Sequence, residues 1–461
     1  MAISKLRNLR YQALVLLASA MFSLTAGDTA WAQGGNGVIV DADGVLRVRL
    51  FEDPGGRLHK QRVAAAAAAL DRDVARPSKL RKVSLNRLEA ALKEQVDNNR
   101  PATEEMKYLA GLTRVQYVFF YPDSKDVVIA GPAEGWVQDV AGRTVGMHSS
   151  KPTLQLQDMI TALRIYDPAQ AEAPVISVSI DPTQEGLARM QQFLQQLGSR
   201  ATPNQTNYIV RGLRESMGNQ NVVVRGIPAN THFAQVLVEA DYRMKLIGIG
   251  LEQPPARVTT YVDKASPSSV SRNALQRWYF VPDYECVRAT ADGNAIELVG
   301  DGVKLVGEDQ VVAADGSRQV SGRVDRASEA FTTSFTQNYG RIADQAPVYA
   351  QMRNLIDMAV AAAYIREHRL HDKADWSMEI FGDEQKYPVQ TYDVPQQVET
   401  AINSIWKGNR LMTPIGGGVN VQAHKALEVD NLLTDEGGAV QKLHGEVYAE
   451  RPADNDNWWW D

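Results

Sequence analysis

Residues 347–370 constrain the fold of this 461-residue chain more than any other segment. Their sequence is PVYAQMRNLIDMAVAAAYIREHRL, and its apolar residues recur at spacings of three and four. That spacing places one set of side chains on a single stripe of an α-helix: Val348, Met352, Leu355, Ile356, Ala359 and Ala363. Pro347 suits the first helical position, because its missing N–H would have no partner there. We therefore predict a long core helix that carries Arg353, Asn354 and Asp357 on its other face.

The first 32 residues have the pattern of a secretory signal peptide. Lys5, Arg7 and Arg10 precede an uncharged apolar run over residues 13–26, and Ala30-Trp31-Ala32 supplies a small-x-small cleavage site. The run is shorter than the roughly 20 residues that a membrane-spanning helix needs. We therefore expect cleavage after Ala32 and an exported protein, periplasmic or extracellular. The mature chain has no other run long enough to cross a membrane.

Composition is that of a folded soluble protein, with 44% hydrophobic and 23% charged residues. Cys286 is the only cysteine, so an internal disulfide is excluded and buried apolar surface must supply the stability.

Charge is distributed unevenly between the two ends of the sequence. Residues 57–88 hold nine basic and two acidic residues, whereas residues 428–461 hold nine acidic and two basic. The middle is nearly neutral, which gives no support for a nucleic-acid partner.

The order of predicted elements indicates an α+β fold. Residues 33–104 predict a hairpin followed by a basic helical segment. Residues 105–262 alternate helical and β-rich stretches, which predicts a layered α/β lobe. Residues 272–430 begin with short strands separated by Asp-Gly turns, which predicts an antiparallel β-meander packed with helices. The acidic, pattern-poor residues 431–461 predict a disordered tail.

Residues 231–251 of the first predicted lobe contain a junction between a predicted helix and a predicted strand. Thr231 can cap a helix that we predict to end at Ala240, because threonine accepts a hydrogen bond from a free N–H of the first turn. Residues 244–251, MKLIGIGL, alternate in part and favour a strand. Asp241 and Arg243 would then lie where the helix gives way to the strand.

Four segments together resemble a known family: VYAQMRNLIDMA (348–359), ADYRMK (240–245), GPAEGW (131–136) and PIGGGV (414–419). The chain is similar over residues 105–430 to secreted planctomycete proteins that share domain of unknown function 1598. The resemblance implies export and a common fold. The family has no assigned activity, so the resemblance implies no catalytic residues and no cofactor.

Several polar and aromatic residues are candidates for a binding site. Each set has two interpretations, a ligand site or a satisfied structural network between packed layers. Arg353 and Asp357 are spaced to form an ion pair on the core helix, with Asn354 beside them. Glycines 416–418 could expose backbone N–H groups to an anion, or could allow two strands to approach closely. Asp241 and Arg243 have the same two interpretations as the helix residues. Glu134 and Trp136 lie on a glycine-flanked turn that could form a binding surface, or whose glycines could allow a bulge or a close approach of strands.

Common catalytic and metal-binding motifs are missing from the sequence. It contains no GxSxG, GxxxxGK[ST], HExxH or CxxC. His368 and His371 would share a helical face and could bind zinc, but histidines at a helix end also interact favourably with the helix dipole. We favour the second interpretation, and we predict no cofactor.

Trp458, Trp459 and Trp460 end the acidic tail. Exposed tryptophan is a frequent interface anchor, so this triplet could bind a partner protein of the cell envelope. Its acidic surroundings could equally bring it back to the basic residues 57–88 of its own chain. Both alternatives stay open from the sequence.

Taken together, these patterns predict an exported soluble protein with a non-catalytic role in binding or assembly in the periplasm or cell envelope. The alternative is a hydrolase or a metal-dependent enzyme whose site lies between the two predicted lobes, where sites often form.

Overall fold

Two open β-sheets of mixed strand direction, covered by helices, form this α+β fold in a computed structural model. The structure describes residues 37–461 except residues 50, 52, 171–173, 199–201, 267–273, 313–317, 321–324, 404, 408–409, 413–416 and 453–456. The predicted signal peptide lies outside the described residues. Among the described helices, none combines the length and the apolar character that a membrane crossing needs.

The described helices are α1 (Arg57–Ala69), α2 (Arg72–Ala75), α3 (Leu85–Asp97), α4 (Glu104–Lys107), α5 (Leu156–Ile165), α6 (Gln184–Leu197), α7 (Thr206–Met217), α8 (His232–Gly248), α9 (Tyr261–Lys264), α10 (Arg326–Gln337), α11 (Tyr339–Gln345), α12 (Pro347–Glu367), α13 (Leu370–Lys373) and α14 (Ala439–Glu450).

The described strands are β1 (Val38–Val40), β2 (Val45–Val48), β3 (Ser78–Ser84), β4 (Tyr117–Tyr121), β5 (Asp126–Ala133), β6 (Trp136–Gln138), β7 (Thr144–Gly146), β8 (Ile176–Pro182), β9 (Gln220–Arg225), β10 (Ala274–Pro282), β11 (Val287–Ala289), β12 (Ala295–Leu298), β13 (Val303–Val312), β14 (Arg318–Val320), β15 (Gln397–Val398), β16 (Ile405–Lys407), β17 (Arg410–Met412), β18 (Gly418–Val421), β19 (Leu433–Thr434) and β20 (Trp459–Trp460).

Both large sheets combine strands that are distant in the sequence. The nine-stranded sheet has the order β1-β2-β15-β9-β8-β18-β10-β13-β14, and the seven-stranded sheet has the order β19-β11-β12-β4-β5-β3-β20. β10 pairs in parallel with β18, whereas β10 and β13 form a long antiparallel pair. Each sheet therefore takes strands from both sides of the boundary predicted between residues 262 and 272. The division of the chain into domains stays a prediction.

Helix α12 confirms the predicted core helix. It begins at Pro347, and residues 348–365 are all buried, including the predicted polar face. Its side chains reach both sheets: the Tyr349 ring lies 6.0 Å from the Phe280 ring of β10, and the Tyr364 hydroxyl donates to the Gly293 carbonyl next to β12. The helix therefore joins the two sheets.

Helix α8 runs through the predicted junction at Ala240. Thr231 caps it as predicted, accepting from the Ala234 N–H at 3.2 Å. The strand predicted over residues 244–251 is wrong, because the helix continues to Gly248 and ends where Gly250 takes a positive φ of 73°. A side chain at Gly248 would meet the Trp278 ring at 2.6 Å, so glycine lets the helix end pack against β10.

The tail predicted to be disordered is instead folded onto the chain at its described residues. Helix α14 packs against β12, and β20 pairs with β3 at the edge of the seven-stranded sheet. Val440 and Val447 are buried beside Phe119 and Tyr121. The segment is polar on average, but these few apolar residues lie where they meet an aromatic strand.

Candidate functional site

A cavity of about 580 Å³ opens between segments that are far apart in the sequence. The end of α4, the β6–β7 hairpin, the start of α5, the start of α8 and the loop at residues 387–392 surround it. Amide and aromatic side chains dominate its lining: Lys107, Tyr108, Gln138, Gly142, Thr144, Gln155, Leu156, Gln157, His232, Tyr387, Pro388, Val389, Gln390 and Tyr392. The cavity thus takes residues from both predicted lobes.

A histidine–aspartate pair lies in the wall of this cavity. His232 Nδ1 is 2.8 Å from Asp158 Oδ2, and both side chains are almost completely buried. The other ring nitrogen, Nε2, lies 3.4 Å from the Gln155 amide nitrogen. The consistent assignment has Gln155 donating to Nε2 and Nδ1–H donating to the carboxylate. The lone pair of Nε2 then accepts the hydrogen bond from the Gln155 amide.

A chain of hydrogen bonds continues from this pair through two glutamines to a tyrosine. The Gln157 amide donates to Gln155 Oε1 at 2.6 Å and to the Tyr392 hydroxyl at 2.9 Å. Burial raises the pKa of Tyr392 to about 12, so this hydroxyl keeps its proton and can donate it. The Tyr392 ring also lies 5.9 Å from the His232 ring. These hydrogen bonds fix the orientations of four polar side chains, those of His232, Gln155, Gln157 and Tyr392.

Backbone contacts fix where these side chains stand. His232 is the first residue of α8, and Gln155 is the N-cap of α5. The Tyr392 N–H donates to the Asn230 carbonyl at 2.8 Å, which ties the 387–392 loop to the start of α8. Arg164 of α5 holds the beginning of the same loop by donating to the Phe381 and Tyr387 carbonyls at 2.8 and 2.7 Å.

The cavity offers hydrogen bonds but little charge. Its one lysine, Lys107, is paired with Glu104 at 2.7 Å. Gln157, which lines the cavity, has a buried side-chain oxygen, Oε1, without a hydrogen-bond partner among the described residues, and so does Asp158 behind it, at Oδ1. Buried acceptors without partners are costly unless a ligand or water supplies a donor. The arrangement suits an uncharged ligand that carries donor groups.

The three predicted polar residues of the core helix lie in structural contacts. Asp357 pairs with Arg114 at 2.8 Å rather than with Arg353, and Asn354 donates to the Thr113 carbonyl at 3.0 Å. Burial raises the pKa of the Asp357 carboxyl.

Arg353 lies 3.9 Å from Asp301. Arg353, Asn354 and Asp357 do not line the cavity. Asn354 and Asp357 hold the core helix against the segment that leads into β4, and whether the three residues also bind a ligand stays a prediction.

Glu134 and Trp136 lie beside the cavity without lining it. The Glu134 carboxylate accepts from the His148 and Ser149 N–H groups at 2.7 and 3.1 Å. The Trp136 ring lies 5.5 Å from the ring of Tyr108, which does line the cavity. Trp136 therefore supports one wall.

Asp241 and Arg243 belong to two buried networks on α8. Asp241 is paired with Lys245 at 3.3 Å, and Lys245 donates to the Ile180 carbonyl of β8. Of the glycine triplet, Gly416 lies outside the described residues. A side chain at Gly417 would meet Lys245 at 2.2 Å and Asp241 at 2.7 Å, so glycine there allows a close approach. Arg243 pairs with Glu252 at 2.6 Å.

Asp241 makes stability depend on pH. Burial raises its pKa from 3.8 to about 6. Between these two pKa values the folded state holds a proton that the unfolded state has released. The contribution of Asp241 to the free energy of unfolding is therefore most favourable below pH 4 and is lost as the pH rises through 6. In urea titrations, we expect the unfolding free energy of the wild type minus that of Asp241→Asn to decrease as the pH is raised from 4 to 6.5. A flat or rising difference would contradict the assignment.

The two candidate metal ligands make separate contacts. The His368 ring lies 4.4 Å from the Tyr364 ring, and burial lowers the pKa of His368. His371 Nε2 lies 3.2 Å from Asp372 Oδ1. Within the described parts of the chain, no group of three or more His, Cys, Asp or Glu side chains is placed to hold a metal ion.

Trp458, Trp459 and Trp460 lie against their own chain, with Trp458 and Trp460 buried. They contact β3 and its surroundings, which lie inside the basic segment 57–88.

Sequence reasoning missed the residues that line the cavity. His232 stands next to Thr231, which the sequence identified as a helix cap, and a histidine at a capped helix start was the available signal. Asp158, Gln157 and Tyr392 carry no comparable signal, because only the folded chain brings them together.

Comparison with known proteins gives one match. Neither the curated proteins nor the solved structures include one that matches this chain. Residues 178–261, which contain most of β8, all of β9, His232 and the ADYRMK segment, match the model of a family described as "Protein of unknown function (DUF1598)".

Proposed function

We propose that this chain is an exported, non-catalytic binding protein of the periplasm or cell envelope whose cavity holds a neutral saccharide. The basic and apolar pattern of residues 1–32, and the resemblance to secreted planctomycete proteins, support export. The hydrogen-bond chain from His232 to Tyr392 carries the binding proposal, because it places oriented polar groups beside a nearly uncharged cavity.

A saccharide fits this lining for two reasons. Tyr108, Tyr387 and Tyr392 offer flat apolar faces with polar edges, and a pyranose ring likewise has an apolar face and a hydroxyl edge. Gln157 Oε1 is a buried acceptor, and a ligand hydroxyl or amide N–H would satisfy it. A cavity of about 580 Å³ is within the size range of small-molecule sites.

Titration calorimetry with N,N′-diacetylchitobiose tests this proposal, because the disaccharide carries both hydroxyl and amide donors and no charge. Binding should be at least tenfold weaker in Gln157→Leu and Tyr392→Ala, since each removes one of the oriented groups. Asn221→Ala is the matched control and should bind like the wild type, because Asn221 is exposed on β9 and does not line the cavity. Equal binding by all four proteins, or none by the wild type, would refute the proposal.

Ester hydrolysis is a second candidate, favoured by the His232–Asp158 pair. In that reaction a water oxygen would attack the ester carbonyl carbon while His232 Nε2 takes the water proton. The tetrahedral intermediate would then expel the alcohol oxygen, which receives that proton, and leave a carboxylic acid. Asp158 would hold the ring and stabilise its protonated form.

Turnover of p-nitrophenyl acetate separates the two candidates. A hydrolase should lose most of its rate in His232→Gln and keep it in His148→Gln, whose histidine is exposed. A binding protein should show the same slow background rate in all three chains.

A further inference from the structure

The Trp triplet occupies a site that is built like a peptide receptor, which we call the Arg81 socket: Arg81, β3 and the aromatic face of β4. Arg81 is fully buried, and its guanidinium donates to both carboxylate oxygens of Asp461 at 2.8 Å. It also donates to four backbone carbonyls, those of Asp73, Val74, Arg76 and Ala110. The guanidinium is thus held rigidly for bidentate recognition of one carboxylate.

Backbone and aromatic contacts complete the recognition. Trp459 and Trp460 pair antiparallel with Val83 and Lys82, and the Ser84 N–H donates to the Trp458 carbonyl at 2.8 Å. The Trp459 ring lies over the Arg81 guanidinium at 4.7 Å. Strand addition to a sheet edge, with pockets for alternate side chains, is a common way in which proteins bind extended peptides.

The two flanking tryptophans occupy separate apolar surroundings. Trp460 packs with Phe119, Tyr121, Val440 and Val447, whereas Trp458 joins the main core. Each of the three tryptophans and Asp461 therefore contacts a different part of the Arg81 socket. These separate contacts make the socket selective for a run of aromatic residues followed by an acidic residue.

The connection to the socket is short and charged. Residues 451–456 separate the end of α14 from Asn457, and six residues span at most about 20 Å. Lys82 pairs with Glu450 at 2.9 Å. The basic residues 57–88 and the acidic residues 428–461 carry opposite charges of equal size, and this attraction acts between two copies as well as within one.

We propose that the Arg81 socket also accepts residues 457–461 of a second copy of this chain. A second copy presents the identical segment, so it can make the same hydrogen bonds, stacking and ion pairs in exchange for the chain's own tail. The chain's own tail competes at a high effective concentration, so exchange becomes visible when that tail is removed or when the protein is concentrated. This inference does not depend on the saccharide proposal.

Two complementary variants test the exchange. One lacks residues 457–461 and so has an open socket; the other is Arg81→Gln, which keeps its tail and loses the guanidinium. Sedimentation velocity of the equimolar mixture should show a heterodimer, while each variant alone stays monomeric. The peptide Asn-Trp-Trp-Trp-Asp should bind the truncated chain, and the same peptide with Asn for Asp461 should bind at least tenfold more weakly.

A second measurement covers the case in which either variant fails to fold, as judged by circular dichroism. The intact chain is then incubated with excess biotinylated Asn-Trp-Trp-Trp-Asp, which should be retained and should be released by unlabelled peptide. Failure of the folded truncated chain or of the intact chain to bind the peptide would overturn the proposal. Binding of an envelope protein to the socket, with no association between copies, would overturn it too.

Discussion

Replacing Glu239 with glutamine is expected to lower the free energy of unfolding by about 3–5 kcal/mol, because it removes the charged partner of the buried Arg143 and of the half-buried Arg243. Glu239 is fully buried, 2.6 Å from Arg143 and 3.4 Å from Arg243. Arg143 also donates to Gln351 of α12. Since Gly142 and Thr144 on either side of Arg143 line the cavity, this network holds the β6–β7 hairpin to α8 and α12 behind it.

The matched control is Glu399→Gln. Glu399 pairs with Arg47 on the surface, where an ion pair contributes about 0–1 kcal/mol. Urea unfolding of the two variants measures the difference. A loss below about 1 kcal/mol in Glu239→Gln would show that the buried network does not need its carboxylate.

Replacing Glu89 with alanine is expected to have an effect of similar size, about 3–5 kcal/mol, because it leaves three buried donors without an acceptor. The Glu89 carboxylate accepts from the Trp376 indole N–H and from the Ile380 and Phe381 backbone N–H groups. These residues begin the segment that Arg164 holds and that continues into the 387–392 wall of the cavity. We therefore also expect faster hydrogen exchange in that wall.

Glu94→Ala on the same helix is the control for this prediction. Glu94 is largely exposed, and its pair with Arg100 is 3.4 Å long. Its removal should change the unfolding free energy by no more than about 0.5 kcal/mol. Equal losses in both variants would contradict the role of the three buried donors, since Glu94→Ala leaves no buried donor without its acceptor.

The core helix could be predicted because the residues that determine it lie within the helix segment itself. The spacing of Val348, Met352 and Leu355 defines a helical face, and Pro347 marks its start. The partners of its polar face could not be predicted. Asp357 pairs with Arg114 and Arg353 lies 3.9 Å from Asp301, and both partners come from other segments.

Other features depend on contacts that a single segment does not contain. The residues after Ala240 alternate like a strand, but burial on all sides and the Asp241–Lys245 pair suit a continued helix. The tail looked too polar to fold, and its order comes from Arg81 and a few apolar contacts.

The cavity could not be predicted for the same reason. Lys107, Gln157, His232 and Tyr392 are separated by up to 285 positions and come together only through the helix starts and loops of the folded chain. None belongs to a motif with fixed spacing.

A crystal structure of the chain soaked with N,N′-diacetylchitobiose gives the sharpest test of the saccharide proposal, because it locates the ligand as well as detecting it. We expect the disaccharide in the cavity, with a donor group on Gln157 Oε1 and a pyranose face on Tyr392. Electron density for the disaccharide elsewhere on the protein, with the cavity holding only water, would contradict it.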